Sequence, residues 1–260
     1  MSGARQSPEF SDQTVIVTGA TKGIGRATAL AFAREGANLL ISGRMESELD
    51  SLATEIENSG VRAAKLTADL ALDESPGRIA DAAMDAFGRI DVLVNNAAII
   101  HDSHDLAEFD PALWKQVIQV NLVAPAMLSR AVLPHMIAAG AGKIVNMSSI
   151  GGTRGGAGRS AYRAAKAGLI NLTQSSAAEV KHHGIDVNCI CPGATDTEGF
   201  RHAFDHKGRA QDSNLMVPEE IAELALFLAS PRSSAVTGTA INAFGATNPI
   251  FQSGAAKGKI

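Results

Sequence analysis

The sequence predicts a doubly wound α/β fold in which a seven-stranded parallel sheet carries helices on both faces. Short β-branched runs alternate with longer helix-like segments along the whole chain. Several of these runs are apolar at successive positions, as is typical of strands buried on both faces. The length of 260 residues, 45% of them hydrophobic, is enough to bury one full core. Because nothing interrupts the alternation, residues 1–260 are expected to form one domain.

The first predicted unit is a strand, a glycine turn and a helix. The run TVIVTG at 14–19 is β-branched and stops at glycine, and an alanine-rich helical stretch follows from Ile24 to Glu35. Six further strands are predicted, in chain order, near NLLIS, RAAKL, IDVLVN, GKIVNMS, IDVNCIC and TAINAF. Outside this alternation lie a polar lead at 1–12, an irregular polar stretch at 194–214 and a C-terminal tail at 247–260.

Composition and charge exclude several classes of function. A net charge of −4 and a pI near 6.0 give no general attraction to nucleic acid or to an anionic membrane. The N-terminal segment lacks the apolar core of a signal peptide, and no run of eighteen apolar residues occurs, so a cytoplasmic location without membrane contact is expected. Cys189 and Cys191 are expected to be buried thiols. The seven histidines show no metal-ligand spacing, which predicts no metal site.

A single tyrosine marks the candidate chemistry. Tyr162 is the only tyrosine in the chain, and it stands four positions before Lys166 and thirteen after Ser149. On a helix, residues four apart share a face, so the lysine ammonium is expected beside the phenol oxygen and should lower its pKa. A phenol, an ammonium and a hydroxyl together can transfer a proton. The alternative interpretation is a packed aromatic ring next to a solvated lysine.

Glycines follow the first predicted strand where it meets the first helix. Gly19, Gly23 and Gly25 are spaced G-x-x-x-G-x-G in the run TGATKGIG. Glycines at this place let the backbone turn tightly against a pyrophosphate, and the helix N-terminus offers free N–H groups. A merely structural turn is the alternative.

The end of the second predicted strand bears on which dinucleotide would bind. Dinucleotide-binding folds usually carry an acidic residue about twenty residues after the glycine turn, to hold the ribose hydroxyl. Here that place has Ser42, Gly43 and Arg44. An arginine fork suits a 2′-phosphate, and Lys22 could add a second positive charge, so NADP(H) is the expected cofactor. NAD(H) stays possible, because both cations could be ordinary surface residues.

In combination these motifs resemble the short-chain dehydrogenase/reductase family over nearly the whole chain. The resemblance rests on motifs in the family's order, namely TGATKGIG, Asp69-Leu70, Asn95-Asn96-Ala97-Ala98, Asn121, Ser149, Tyr162 with Lys166, and Pro192-Gly193. Ala98 stands where the family usually has glycine. The resemblance implies a Rossmann fold and an assembly of two or four copies through the long helices that contain Asn121 and Tyr162.

The resemblance also implies roles for individual residues. Ser149 would bind the substrate oxygen, Tyr162 would transfer the proton and Lys166 would hold the nicotinamide ribose. The backbone carbonyl of Asn121 would hold a relay water, and Pro125 supports this because it lacks the N–H that would bond that carbonyl. The expected catalytic residues are Asn121, Ser149, Tyr162 and Lys166. The expected cofactor-binding residues are Gly19, Thr21, Lys22, Gly23, Ile24, Gly25, Arg44, Asp69, Leu70, Asn96, Ala97, Tyr162, Lys166, Pro192, Gly193, Thr195 and Thr197.

Substrate contacts are expected from His101, Ser149 and Arg154, under a lid formed by 194–214. Arg154, Arg159 and Arg163 cluster around the tyrosine and would favour an anionic substrate if they face the cleft; a solvated face is the alternative. The expected function is the NADP(H)-dependent interconversion of a small carbonyl compound and a secondary alcohol. The alternatives are an NAD-dependent alcohol or polyol dehydrogenase and a catalytically silent nucleotide sensor.

Overall fold

The computed structural model describes residues 9–204 and 215–245, and these contain one sheet. All of its neighbouring strands run parallel, in the order β3-β2-β1-β4-β5-β6-β7. The seven strands are β1 Thr14–Thr18, β2 Asn38–Gly43, β3 Ala63–Thr67, β4 Val92–Asn95, β5 Gly142–Met147, β6 Ile185–Pro192 and β7 Ala240–Ala243. The predicted sheet is confirmed, with every strand where a β-branched or apolar run predicts it.

Helices connect the strands, and local sequence signals set several of their ends. The eight α-helices of the described residues are α1 Gly23–Arg34, α2 Glu46–Glu57, α3 Ser75–Phe87, α4 Pro111–Ile118, α5 Ala124–Ala139, α6 Ser160–Val180, α7 Glu198–Phe204 and α8 Pro218–Ala229. At the start of α4, the Asp110 carboxylate accepts from the backbone N–H groups of Ala112 and Leu113. α3 and α5 end at left-handed glycines, Gly88 and Gly140.

The core lies in two layers, one on each face of the sheet. Side chains alternate along β1, so Val15 and Val17 join one layer while Ile16 joins the other. The first layer includes Phe32 of α1, and the second includes Leu128 of α5. Burial on both faces explains why β1 is apolar at successive positions.

The long helix expected to contain Asn121 is interrupted in its middle. α4 and α5 are joined by a π-helical turn, Gln119–Val123, which contains Asn121 and ends two residues before Pro125. A proline at this place cannot donate to the carbonyl four residues back, so the wider turn accommodates the missing bond. The residue whose carbonyl loses its donor to Pro125, Asn121, therefore lies in this turn.

One helical stretch in the described part of the chain, Pro111–Ala139, is long and apolar enough to cross a bilayer, with a mean hydropathy of 1.4 over its best window. The same test is passed by core helices of soluble proteins. Leu128, Val132 and Met136 of this stretch are fully buried against the sheet and its other helices.

The described residues of two segments that lie outside the strand–helix alternation, 1–12 and 194–214, are more ordered than their polar sequences predict. Phe10, inside the expected polar lead at 1–12, is fully buried and packs edge-on against Phe32, with ring centroids 4.9 Å apart. Residues 1–8 lie outside the described residues. The irregular stretch at 194–214 contains α7, and its part from 205 to 214 also lies outside them, as does the tail at 247–260.

Replacing Phe10 by alanine is expected to lower the free energy of unfolding by about 3–5 kcal/mol, because a fully buried ring is removed and a cavity remains. Urea denaturation followed by circular dichroism measures the change. Leu106→Ala is the control, since Leu106 is 69% exposed and should change stability by less than about 0.5 kcal/mol. Equal effects of the two substitutions would contradict the packing role of Phe10.

Candidate active site

A crevice opens at the carboxyl ends of the strands, where the strand order reverses. β1 pairs with β2 on one side and with β4 on the other, and the chain leaves these strands in opposite directions. The crevice encloses a cavity of about 1070 Å³, at the upper end of the volumes typical of ligand sites. Of the residues expected to bind cofactor or substrate or to act in catalysis, all but Asn121 and His101 line this cavity.

The loop after β1 is shaped by glycines that no larger residue could replace. Gly19 has a φ of 60° and lies so close to Ala97 that a Cβ would come within 2.8 Å of its Cα atom. A Cβ on Gly25 would overlap the carbonyl oxygen of Gly19 and the amide of Asn96. Removing these side chains leaves a backbone cradle open toward the start of α1, where free N–H groups favour a phosphate. The cradle therefore fits the pyrophosphate of a dinucleotide.

Hydrogen bonds from Thr18 and Asn96 fasten the end of β1 to the end of β4. The Asn96 side-chain amide donates to the carbonyls of Thr18 and Gly19, at 2.9 and 3.1 Å. The Thr18 hydroxyl accepts from the backbone N–H groups of Asn96 and Ala97, at 3.0 and 3.1 Å. These bonds fix the two loops on either side of the crevice. Asn96 and Thr18 thus hold the glycine loop in place, a role that the sequence alone did not indicate for Thr18.

The two cations expected at the 2′-phosphate differ in their surroundings. Arg44 is exposed on the cavity rim, and no hydrogen bond to its guanidinium is formed by any of the described residues. The Lys22 ammonium forms ion pairs with Glu48 at 3.2 Å and with Glu198 at 3.1 Å. Hydrogen bonds to Glu198 and Glu48 raise the pKa of Lys22. The lysine is therefore engaged by carboxylates, whereas the arginine is not.

The remaining expected cofactor contacts lie along the same cavity. Asp69 accepts from the N–H of Ala71 at 2.9 Å, which leaves the rest of its carboxylate facing the rim. On the other side, the N–H of Gly193 donates to the Ala243 carbonyl at 2.7 Å, tying the end of β6 to β7. The backbone of Thr195 forms an isolated β-bridge with Met216. The Thr197 hydroxyl accepts from the backbone N–H of Phe200 near the start of α7. The loop after β6 is thus held from both ends.

Ser149, Tyr162 and Lys166 meet on the cavity wall between β5 and α6. Ser149 interacts with the Tyr162 hydroxyl and favours its ionised form, and the Ser149 oxygen accepts from the N–H of Gly151 at 3.0 Å. The buried Lys166 ammonium donates to the Met147 carbonyl at 2.7 Å and lies 5.8 Å from the centroid of the tyrosine ring. The one-turn spacing on α6 therefore brings the phenol and the ammonium onto one face.

The pKa shifts at this wall differ from the expectation. Burial raises the pKa of Tyr162 above its usual range, and the hydrogen bond from Ser149 and the charges of Arg159 and Arg163 only partly oppose this. Burial likewise lowers the pKa of Lys166 to about 8. The expected lowering of the tyrosine pKa by Lys166 is not observed, because desolvation of the phenolate is the larger effect.

Asn121 and Ser148 contribute support beneath the cavity. The Asn121 side chain is fully buried and bonds both backbone groups of Ile99, accepting from its N–H at 2.7 Å and donating to its carbonyl at 3.0 Å. Its side chain is thereby committed to the loop after β4. The Ser148 hydroxyl donates to the Lys166 carbonyl at 2.8 Å, so its role is structural.

His101 lies behind the cavity wall. It is 5% exposed, its Nδ1 lies 2.6 Å from the Asp102 carbonyl oxygen, and its ring packs edge-on against Phe109. Burial lowers its pKa. His101 is not among the residues that line the cavity, and its substrate contact stays a prediction.

The cavity wall near Tyr162 also contains residues that sequence reasoning did not assign. Phe200 and Phe204 of α7 stack with ring centroids 4.7 Å apart, and both line the cavity. Their spacing of four residues was the available signal.

Arg154, Arg159 and Arg163, the arginine cluster expected around Tyr162, all line the cavity, so the cluster faces the cavity rather than bulk solvent alone.

Comparisons with known proteins agree with this geometry. The family described as short chain dehydrogenase matches residues 13–208. A cis-4-hydroxycyclohexanecarboxylate dehydrogenase from Sinomonas cyclohexanicum is 40% identical, with 88% of this chain and 94% of the relative covered.

Solved structures of similar proteins include enzymes with either dinucleotide. A protein from Beutenbergia cavernae, assigned as an NAD(P)-dependent gluconate 5-dehydrogenase with NADP bound at low occupancy, has a TM-score of 0.84, 35% identity and coverage of 91% of this chain and 97% of that chain. An NAD+-bound xylitol dehydrogenase has a TM-score of 0.84, 25% identity and coverage of 90% and 98%.

The glycine cradle, the converging serine, tyrosine and lysine, and the match over most of the chain lead to one conclusion. The chain belongs to the short-chain dehydrogenase family, oxidoreductases that act on hydroxyl or carbonyl groups with NAD(P).

Proposed function

We propose that residues 1–260 act as a single-domain, NADP(H)-dependent oxidoreductase that interconverts a small carbonyl compound and a secondary alcohol. One observation carries the proposal: Ser149, Tyr162 and Lys166 converge on the wall of the cavity that the glycine cradle also enters. A bound nicotinamide cofactor would supply or accept the hydride there. The hydroxyl proton of the alcohol is transferred by the protein's own side chains.

Tyr162 is the proton donor in this proposal. The phenol of tyrosine is protonated at neutral pH, and burial, which raises its pKa, keeps it so; the hydroxyl can therefore donate its proton to a carbonyl oxygen. Ser149 lines the same cavity as Tyr162, presents its own hydroxyl to the same substrate oxygen and orients it. With NADPH as the proposed cofactor, reduction is the proposed working direction.

Lys166 and Asn121 complete the proposed proton path. The Lys166 ammonium has three N–H donors, and one of them is used by the Met147 carbonyl. The others are available for ribose hydroxyls and for a relay water. The backbone carbonyl of Asn121 lies in the π-helical turn. Pro125, four residues later, has no N–H to donate to this carbonyl, which supports the proposal that the carbonyl holds that water.

Cofactor preference rests on the end of β2. Ser42 and Gly43 provide no carboxylate there, and a side chain at position 43 would meet the Thr21 methyl group at 3.0 Å. The exposed guanidinium of Arg44 supports binding of the 2′-phosphate of NADP(H). A carboxylate at the end of β2 would repel that phosphate.

A second candidate is an NAD-dependent alcohol or polyol dehydrogenase. Its supporting observation is that Lys22 is already paired with Glu48 and Glu198, so only one of the two expected cations is free. The similar xylitol dehydrogenase carries NAD+. The relative that acts on cis-4-hydroxycyclohexanecarboxylate points to a secondary alcohol on a ring as the first substrate to test.

The enzyme is proposed to work in the cytoplasm as a homodimer or homotetramer, without nucleic acid or membrane as a partner. The side chains of Met127 and Ile137 on α5 are 42% and 39% exposed. These large apolar residues support a helical interface between copies.

Tyr162→Phe should lower kcat by about 10²–10⁴-fold, because the ring stays and only the proton donor is lost. Ketone reduction is followed by the absorbance of NADPH. The control is NADPH binding by fluorescence, which should be unchanged, since the lysine and the glycine cradle remain. A variant with full turnover would remove Tyr162 from the mechanism.

The rate of ketone reduction should fall as the pH rises through about 8, the pKa of Lys166. Above this pH the lysine is neutral and donates one hydrogen bond fewer, whereas Tyr162, whose pKa is raised by burial, stays protonated. Initial rates and melting temperatures are measured together from pH 6 to 10. A constant rate up to pH 10 in folded protein would contradict the role of Lys166.

Arg44→Asp should lower the ratio of kcat/KM for NADPH to that for NADH by at least about tenfold, because a carboxylate repels a 2′-phosphate and accepts from a ribose hydroxyl. Arg78→Asp, which changes an exposed arginine of α3 outside the cavity lining, is the matched control. An unchanged ratio in Arg44→Asp favours the NAD-dependent candidate.

A further inference from the structure

Arg159 is a buried cation on the cavity wall beside Tyr162. It immediately precedes α6, three positions before the tyrosine, and is only 7% exposed. Its positive charge opposes the rise that burial causes in the pKa of Tyr162. Arg159 and Tyr162 line the same cavity, so a group that binds the Arg159 guanidinium lies in the cavity that contains the reacting hydroxyl.

The guanidinium is held on one edge and one face. Nη2 donates to the Ala203 carbonyl at 2.8 Å, and Cζ lies 4.0 Å from the centroid of the Phe204 ring. Both partners belong to α7, so the guanidinium plane is fixed against that helix. A guanidinium has five N–H donors, and the Ala203 carbonyl uses one of them.

No carboxylate neutralises this charge within the described residues. Among the residues that the structure describes, 9–204 and 215–245, no ion pair involves Arg154, Arg159 or Arg163. The nearby Asp102 attracts Arg159 without forming an ion pair. Burial lowers the pKa of Arg159, as expected when water is removed from a cation.

The neighbouring charges increase the positive potential on this wall. Arg163 adjoins Tyr162 and also lines the cavity, and its buried Nε is without a partner in the described structure. Of the acidic residues described, the cavity lining includes Asp69, on the far side at the end of β3, and Glu198, which is paired with Lys22. An unpaired buried cation is costly, and a ligand of opposite charge removes the cost.

We propose that Arg159 binds a carboxylate of the substrate, so that the preferred substrates are oxo acids and hydroxy acids rather than neutral ketones and alcohols. This inference rests on the proposed oxidoreductase function and deepens it. The free N–H groups of the fixed guanidinium match the two oxygens of a carboxylate, which a lysine at this position would not do. Arg163 adds charge to the same wall, and the Phe204 ring excludes water from one face.

Matched substrate pairs test the proposal. The pairs are 4-oxocyclohexanecarboxylate with 4-oxocyclohexanecarboxamide and 4-oxopentanoate with 4-oxopentanamide, each of nearly equal shape and different charge. The wild-type enzyme should prefer the carboxylate by about 10- to 100-fold in kcat/KM, the range of a charge-assisted hydrogen bond. Arg159→Gln should bring the carboxylate-to-amide ratio of kcat/KM to about one, mainly by raising KM for the carboxylate, since any effect of the lost charge on Tyr162 applies to both members of a pair.

Two further variants separate charge, geometry and folding. Arg159→Lys keeps the charge without the fork and should restore only part of the preference. Arg34→Gln, at an exposed arginine of α1 outside the cavity lining, should keep all of it. If Arg159→Gln does not fold, Arg159→Lys tests the proposal instead. An undiminished preference for the carboxylate in Arg159→Lys would overturn the proposed contact of the guanidinium with both carboxylate oxygens.

A binding measurement keeps the substrate class separate from the reaction. Calorimetry compares cyclohexanecarboxylate with cyclohexanecarboxamide on protein saturated with NADPH. One outcome is that no ketone is reduced, while cyclohexanecarboxylate binds at least tenfold more tightly than the carboxamide and Arg159→Gln abolishes this difference. That outcome would support the carboxylate site at Arg159 and contradict the proposed reaction. Equal binding of the two probes, or equal reduction of both members of each ketone pair, overturns the carboxylate site and leaves the oxidoreductase function untouched.

Discussion

The buried ammonium of Lys166 is the constraint on which the active-site wall depends. A cation that is 2% exposed needs a hydrogen-bond acceptor, and the Met147 carbonyl at the end of β5 supplies it at 2.7 Å. That bond fixes α6 against the sheet, together with the bond from Ser148 to the Lys166 carbonyl. The close approach leaves no room for a Cβ at Gly152, which would come within 2.6 Å of the Lys166 backbone. The same burial sets the protonation of both Lys166 and Tyr162.

Buried amides hold the rest of the crevice in register. Asn95 at the end of β4 donates to Asn146 of β5 at 2.9 Å, and Asn146 donates to Thr173 of α6 at 2.9 Å. Asn121 holds the loop after β4 through Ile99. Each polar side chain in this chain of contacts has a partner, so burial strengthens the network instead of penalising it. The catalytic wall and the glycine loop are thereby fixed to a common framework.

Much of this architecture could be predicted because the signals are local. β-branched runs predicted the strands, the glycine spacing predicted the loop after β1, and four-residue spacing brought Tyr162 and Lys166 together. The rest depends on contacts between distant parts of the chain. The pairing of Lys22 with Glu198 joins residues 176 positions apart, and the direction of the Tyr162 pKa shift follows from burial, which spacing does not reveal. Phe10 looked peripheral for the same reason, because its partner Phe32 lies in another element.

The strand order also has a consequence for how the protein acquires its activity during folding. The crevice exists only between β1 and β4, and their pairing joins residues as distant as Val15 and Val92. Pairing of such distant segments requires closure of a long loop, which makes it slow relative to helix formation. The local unit of β1, α1 and β2 can form earlier, but it has only one side of the site. We therefore expect catalytic competence to be acquired late in folding, when the central strands meet.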